Sequence, residues 1–181
     1  PHAMANEGSP AAGASPMLMA LPLHGTLQGQ RSSGQRFTIC RISERPHAFV
    51  IRNFLSPDEC QILMESAIKS GFEVAETTGK TDARIRCDYA LLSPSRESVL
   101  AGVQSDAART FLSADALQTP GGGVEELNVL RYQPGGEYLP HYDARNNPRI
   151  LTILYYLNGK GATWFPFADN PGAATFANDG E

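Results

Sequence analysis

The chain of 181 residues has no apolar run of about 18 residues, the length a membrane-spanning helix needs, so no such helix is expected. It also lacks an excess of positive charge. Fifteen Lys and Arg stand against 19 Asp and Glu, a formal net charge of −4. Nucleic-acid binding ordinarily rests on a basic face. The basic residues between Arg31 and Arg52 are interrupted by Glu44 and Pro46, so no nucleic-acid partner is expected. Cys40, Cys60 and Cys87 are odd in number, widely spaced and contain no CxxC pair. That argues against a disulfide framework and a structural zinc site, and leaves a single disulfide open. No convincing signal peptide is present either: Pro16–Leu23 (PMLMALPL) is apolar but short, broken by proline and without a basic lead-in. The opening Pro1-His2-Ala3-Met4 reads as an expression scar, and cloning that removed a targeting segment would leave the same start.

What is there is ordinary for one globular domain: 41% hydrophobic and 19% charged residues, in a chain long enough for a sizeable core. Residues 1–36 are rich in Gly, Ala, Ser, Pro and Gln without periodicity. Such composition buries little apolar surface against its ordering entropy, so a flexible tail is expected, with local packing through its Met and Leu residues left open. The folded domain is expected over residues 37–181. FTICRI and AFVIRNFL (Ala48–Leu55) read as strands. Ser56-Pro57-Asp58-Glu59 then predicts a helix start with a capping box. Cys60, Leu63, Met64, Ala67 and Ile68 recur at helical spacing, and Gly71 closes the element. Cys60 is read as a small buried thiol on that helix.

Strands are expected around Phe72–Thr77 and Ile85–Leu92. Ser93-Pro94 opens a second helix, about Ser95–Leu112, with Val99, Val103, Ala107 and Phe111 on one face. Beyond Gly121–Gly123 the runs ELNVLRY, EYLPHYD and RILTILYYLN are strand-like and separated by Gly, Pro and Asn. Two helices followed by closely spaced strands predict an α+β fold, with helices buttressing a β-sandwich.

The chemistry concentrates in Leu127–Asn158. Alternate side chains of a strand share a face, so His141 and Asp143 can reach one metal ion. Two imidazoles and a carboxylate on one octahedral face suit non-haem Fe(II) chemistry. An isolated H-x-D is a weak signal, and a chance surface pair is its plain alternative. Here Tyr132 and Tyr138 precede it, and Thr152, Leu154 and Tyr156 alternate on the next run. Buried hydroxyls need hydrogen-bond partners. Local backbone or a carboxylated co-substrate would serve Thr152 and Tyr156 equally.

Taken in order, PHAFVIRNFLSPDEC, RYQPGGEYLPHYD, RILTILYYLN and GATWFP closely resemble the prolyl 4-hydroxylase family of Fe(II)/2-oxoglutarate-dependent dioxygenases. The similarity runs from about Pro46 to Pro166. It implies a double-stranded β-helix (jelly roll) and hydroxylation of prolyl residues in peptides or proteins, as by a procollagen-proline 4-dioxygenase. The cofactors implied are Fe(II), 2-oxoglutarate and O2, with ascorbate as an accessory. By resemblance His141 and Asp143 are iron ligands and catalytic. Tyr132 and Tyr156 contact 2-oxoglutarate, and Thr152 and Leu154 line its pocket. Tyr138 borders the bound peptide, and Arg149, Arg86 and Glu125 match substrate-groove positions. Cys87 and Asp88 depart from the small hydroxyl residues that relatives often carry. The plainer alternatives are a rim aromatic for Tyr138, solvated charges for Arg86 and Glu125, and pairing with an acidic neighbour for Arg149.

The family also uses a second, distal histidine and a Lys or Arg beyond it for the far carboxylate of 2-oxoglutarate. No histidine follows His141, and no basic residue follows Lys160. A chain cut before its last strands is the preferred explanation; a catalytically inactive relative that keeps a peptide-binding groove is the other. A sandwich using another metal for different chemistry is a third reading. Relatives occupy both the cytoplasm and the endoplasmic reticulum lumen, so the compartment and the oligomeric state stay open.

Overall fold

A computed structural model describes residues 13–74, 87–118, 124–138, 141, 143, 149–166, 168 and 175–177. The described elements are α1 (Pro16–Met19), β1 (Thr26–Gln30), β2 (Arg36–Glu44), β3 (His47–Arg52), α2 (Pro57–Ser70), β4 (Glu73–Val74), β5 (Cys87–Leu92), α3 (Ser98–Phe111), α4 (Ala114–Gln118), β6 (Leu127–Tyr132), β7 (Ala162–Trp164) and β8 (Thr175–Ala177). They form three antiparallel sheets, ordered β1-β2-β3, β4-β5-β6 and β7-β8. The protein is therefore mixed α and β with antiparallel sheets, as a sandwich requires.

Local chemistry explains the helix boundaries. At the start of α2, Ser56 Oγ accepts from the Glu59 amide at 3.2 Å, and Glu59 Oε2 accepts from the Ser56 amide at 2.8 Å. Pro57 takes the first helical position, where its missing N–H costs nothing. Gly71, at φ 89°, ends the helix in a conformation that side chains resist. Ser56→Ala removes one half of this reciprocal cap. It should lower the unfolding free energy by about 1 kcal/mol, read from urea denaturation. The second helix begins three residues later than Ser95. Ser93–Glu97 forms a turn, and Glu97 caps α3 by accepting from the Val99 amide at 3.2 Å.

The core forms two clusters joined by α3. Val103, Ala107 and Phe111 pack with Leu18, Phe37, Ile39 and Phe54 over the first sheet. Leu100 packs with Leu63, Ala67, Ala90 and Leu92 between α2 and the second sheet. Strand β2 alternates, with Phe37, Ile39, Arg41 and Ser43 buried on one face.

Residues 13–36, expected from composition as part of a flexible tail, contribute α1 and β1 to this core. Leu18 is buried, and β1 pairs with β2 along its whole length. Leu18, Leu21 and Leu27 pack on the first core cluster, and a buried charge ties the segment down as well. Arg31 is buried and donates to Asp106 Oδ2 at 3.0 Å, to Glu59 Oε2 at 2.6 Å and to the Phe54 carbonyl at 2.9 Å. Residues 1–12 lie outside the described residues.

The run Arg149–Asn158 forms no ladder among the described residues, although a strand is expected there. Its side chains still alternate. Ile153 and Tyr155 pack on the first core cluster, whereas Thr152, Leu154 and Tyr156 do not. Side-chain alternation needs only an extended backbone; a strand also needs a neighbour to receive its N–H and C=O groups.

Candidate active site

His141 and Asp143 converge. His141 Nε2 lies 3.0 Å from Asp143 Oδ1. Thr152, on the extended run after Arg149, donates to the other carboxylate oxygen, Oδ2, at 2.6 Å. The Tyr138 ring meets the His141 imidazole edge to face, with centroids 4.8 Å apart. Asp143 is thus held with one oxygen engaged by a hydroxyl and the other turned to the histidine, and an aromatic ring limits rotation of the imidazole. The side chains of His141 and Asp143 are 55% and 39% exposed, so a ligand can reach both from solvent.

These two donors fit a metal ion in spacing and in type. Adjacent ligands of an octahedral ion with bonds of about 2.1 Å lie about 3.0 Å apart. Nitrogen and carboxylate donors suit iron. Among the described residues no group of three or more His, Cys, Asp or Glu side chains is placed to hold a metal. His141 and Asp143 therefore supply two protein donors, and a hydrogen bond between them occupies the same distance.

The expected tyrosines lie near one another, with Tyr138 against His141 and both Tyr138 and Tyr156 within electrostatic reach of Tyr132. Tyr132 ends β6 opposite Cys87 of β5. Loss of solvation pushes the Tyr132 phenol up to about 12, helped by Cys87, Tyr138 and Tyr156 within electrostatic reach. The phenol stays protonated at neutral pH and remains a donor. Tyr156 shares a 2.6 Å hydrogen bond with Thr163 Oγ1 of β7. Its neighbour Tyr155 points the other way, into the core, where burial pushes its phenol up to about 12. Leu154 is exposed on the Thr152 side of the run.

Arg149 pairs with an acidic neighbour. It makes a two-pronged pair with Glu125, Nε to Oε1 at 2.9 Å and Nη2 to Oε2 at 2.7 Å. Its Nη1 donates to the Asp143 carbonyl at 3.1 Å. Glu125, read as a solvated charge or a substrate contact, is the partner of Arg149 and stays largely exposed. Arg86 lies outside the described residues. The Thr163 hydroxyl was not singled out from the sequence, and Cys87, marked there only as a departure from relatives, stands beside Tyr132. Each depends on cross-strand or loop proximity, which one-dimensional spacing does not encode. Burial pushes the Cys87 thiol up, with Asp88 adding to it, so it is a weak nucleophile.

Fold and side chains together define a mixed α and β protein with a histidine–carboxylate pair beside the Tyr138 ring. No family model matches the chain, and no solved structure matches it significantly. Curated relatives do. The Arabidopsis thaliana protein named "Probable prolyl 4-hydroxylase 3" is 33% identical over 145 residues, covering 71% of this chain and 48% of the relative. "Probable prolyl 4-hydroxylase 10" of Arabidopsis thaliana is 35% identical over 144 residues, covering 70% and 47%. "Prolyl 4-hydroxylase 5" of Arabidopsis thaliana is 31% identical over 156 residues, covering 77% and 51%. The chain belongs to the prolyl 4-hydroxylase family. It spans about half the length of the curated relatives it matches.

Proposed function

We propose that the protein is an Fe(II)- and 2-oxoglutarate-dependent dioxygenase that hydroxylates prolyl residues in peptides or proteins. The observation that carries this reading is the 3.0 Å convergence of His141 Nε2 and Asp143 Oδ1, with Thr152 bound to the second carboxylate oxygen. His141 and Asp143 would hold the iron, together with a distal histidine. Bound iron supplies the oxidative chemistry, consuming O2 and 2-oxoglutarate and yielding succinate, carbon dioxide and one hydroxyl on the substrate.

The protein's own part is positioning. Thr152 fixes the rotation of the Asp143 carboxylate, an outer-shell hydrogen bond of the kind that orients metal ligands. Tyr132 and Tyr156 would present hydroxyls to the co-substrate, and Leu154 would line its pocket. Because the Tyr132 phenol does not ionise near neutral pH, it would donate to a carboxylate rather than repel it. Tyr138 stands beside His141 and would border the peptide, with Arg86 at the groove. An extended proline-rich segment suits such a groove because little chain entropy is left to lose. The antiparallel sheets would form part of a double-stranded β-helix over residues 37–181, braced by residues 13–36.

The full-length protein, supplied with Fe(II), 2-oxoglutarate, ascorbate and a proline-rich peptide, should release succinate in step with a one-oxygen gain in peptide mass. Peptide binding indifferent to iron and 2-oxoglutarate, with no succinate, would reassign the protein as a catalytically inactive binder.

A further inference from the structure

The Glu125–Arg149 pair is exposed, with side-chain accessibilities of 57% and 40%. Exposed ion pairs contribute about 0–1 kcal/mol, with two-pronged Arg–carboxylate geometry the favourable case. A third contact ties this pair to the site. While Nε and Nη2 of Arg149 hold Glu125, Nη1 holds the carbonyl of Asp143. Asp143 is thereby fixed at three points: its backbone by Arg149, Oδ2 by Thr152 and Oδ1 by His141.

Glu125 has a second consequence. A guanidinium beside a carboxylate ligand competes with the metal for that carboxylate, because a two-pronged carboxylate pair is its best geometry. Glu125 supplies that geometry elsewhere by engaging the Nε–Nη2 edge of the guanidinium, and one of the three remaining N–H groups, on Nη1, meets the Asp143 carbonyl.

We infer that Glu125 and Arg149 form a positioning clamp on Asp143, with Glu125 diverting the Arg149 fork away from the Asp143 carboxylate. This rests on the reading of Asp143 as a metal ligand. It differs from a direct grip on the peptide in that the contacts of Arg149 run to Glu125 and to the Asp143 backbone.

The test uses full-length protein with Co(II) as the probe, by calorimetry, without peptide or 2-oxoglutarate. Arg149→Ala and Glu125→Ala should each weaken Co(II) binding about tenfold, the low end for outer-shell partners. The double variant should be no weaker than the poorer single one, since the pair acts as a unit. In metal-free protein, Arg149→Ala should shift the Asp143 carbonyl carbon resonance, which reports the lost Nη1 contact directly. Co(II) affinity within twofold of wild type in Arg149→Ala, with a raised KM for peptide alone, would overturn the clamp in favour of a substrate contact. An unshifted Asp143 carbonyl would overturn it as well. Equal Co(II) binding by His141→Ala and wild type would remove the metal reading itself, and the clamp with it, so the two failures are told apart.

Discussion

Arg31→Ala should lower the unfolding free energy by about 3–5 kcal/mol, the range found when one partner of a buried ion pair is removed. The loss exceeds that of a surface pair because the charges left behind are enclosed. The Asp106 side chain is 4% exposed and that of Arg31 2%. Asp106 also accepts from the Ser32 hydroxyl at 3.0 Å, the Ser32 amide at 3.3 Å and Arg109 Nη2 at 2.5 Å. Without Arg31, the Phe54 carbonyl loses the Arg31 donor, Glu59 Oε2 keeps the Ser56 amide alone, and Ser32 is left as the contact of residues 31–32 with Asp106 of α3. Equilibrium urea denaturation measures the change. A loss below about 1 kcal/mol would show that the network reorganises around water.

The same network sets an acid limit. Burial by itself would raise the carboxyls of Glu59 and Asp106. Hydrogen bonds from Arg31 to both, and from Ser56 and Ser32, outweigh it and hold both below their ordinary values of 4.5 and 3.8. For Arg31, burial works to lower the guanidinium and the two carboxylates outweigh it, raising it further. A carboxyl lowered in the folded state stabilises the protein fully above its unfolded value, and that stability is lost as pH falls through the folded value. Unfolding free energy should therefore fall below about pH 4.5 in the wild type. The slope should be shallower in Arg31→Ala.

His141→Ala should abolish iron-dependent succinate release by the full-length protein, a loss of at least about 100-fold in kcat/KM, since an outer-shell partner alone costs 10–100-fold. The fold should not notice. His141 is half exposed and belongs to neither core cluster, and such surface substitutions fall within about 0.5 kcal/mol. Thermal melting measured on the same preparation separates the two effects. Retained turnover with an unchanged melting temperature would remove His141 from the metal site.

How much of this was legible in the chain depends on the range of the interaction. The α2 cap was readable because Ser56, Pro57 and Glu59 act within one turn. The Val103, Ala107 and Phe111 face was readable because helical periodicity is itself local. The nearness of His141 and Asp143 follows from their two-residue spacing, although Asp143 lies in a turn rather than on the expected strand. Arg31 was not readable. Its partners are 28 and 75 residues away, in a segment whose composition resembles a tail. Composition measures how much apolar surface a segment can bury, and says nothing of one buried cation that finds two carboxylates.

Arg149 and Glu125 show the same division within the site. Ordered motifs marked both positions as belonging to a functional segment. Only folding decided that they face each other across 24 residues and that the third N–H of the fork meets Asp143. From the sequence alone came the α2 boundaries, the two proximal metal-ligand candidates and the family. The tertiary structure decided which charges pair, which tyrosine turns inward and which segments join the core. Those outcomes depend on the distance between atoms remote along the chain, and no periodicity carries it.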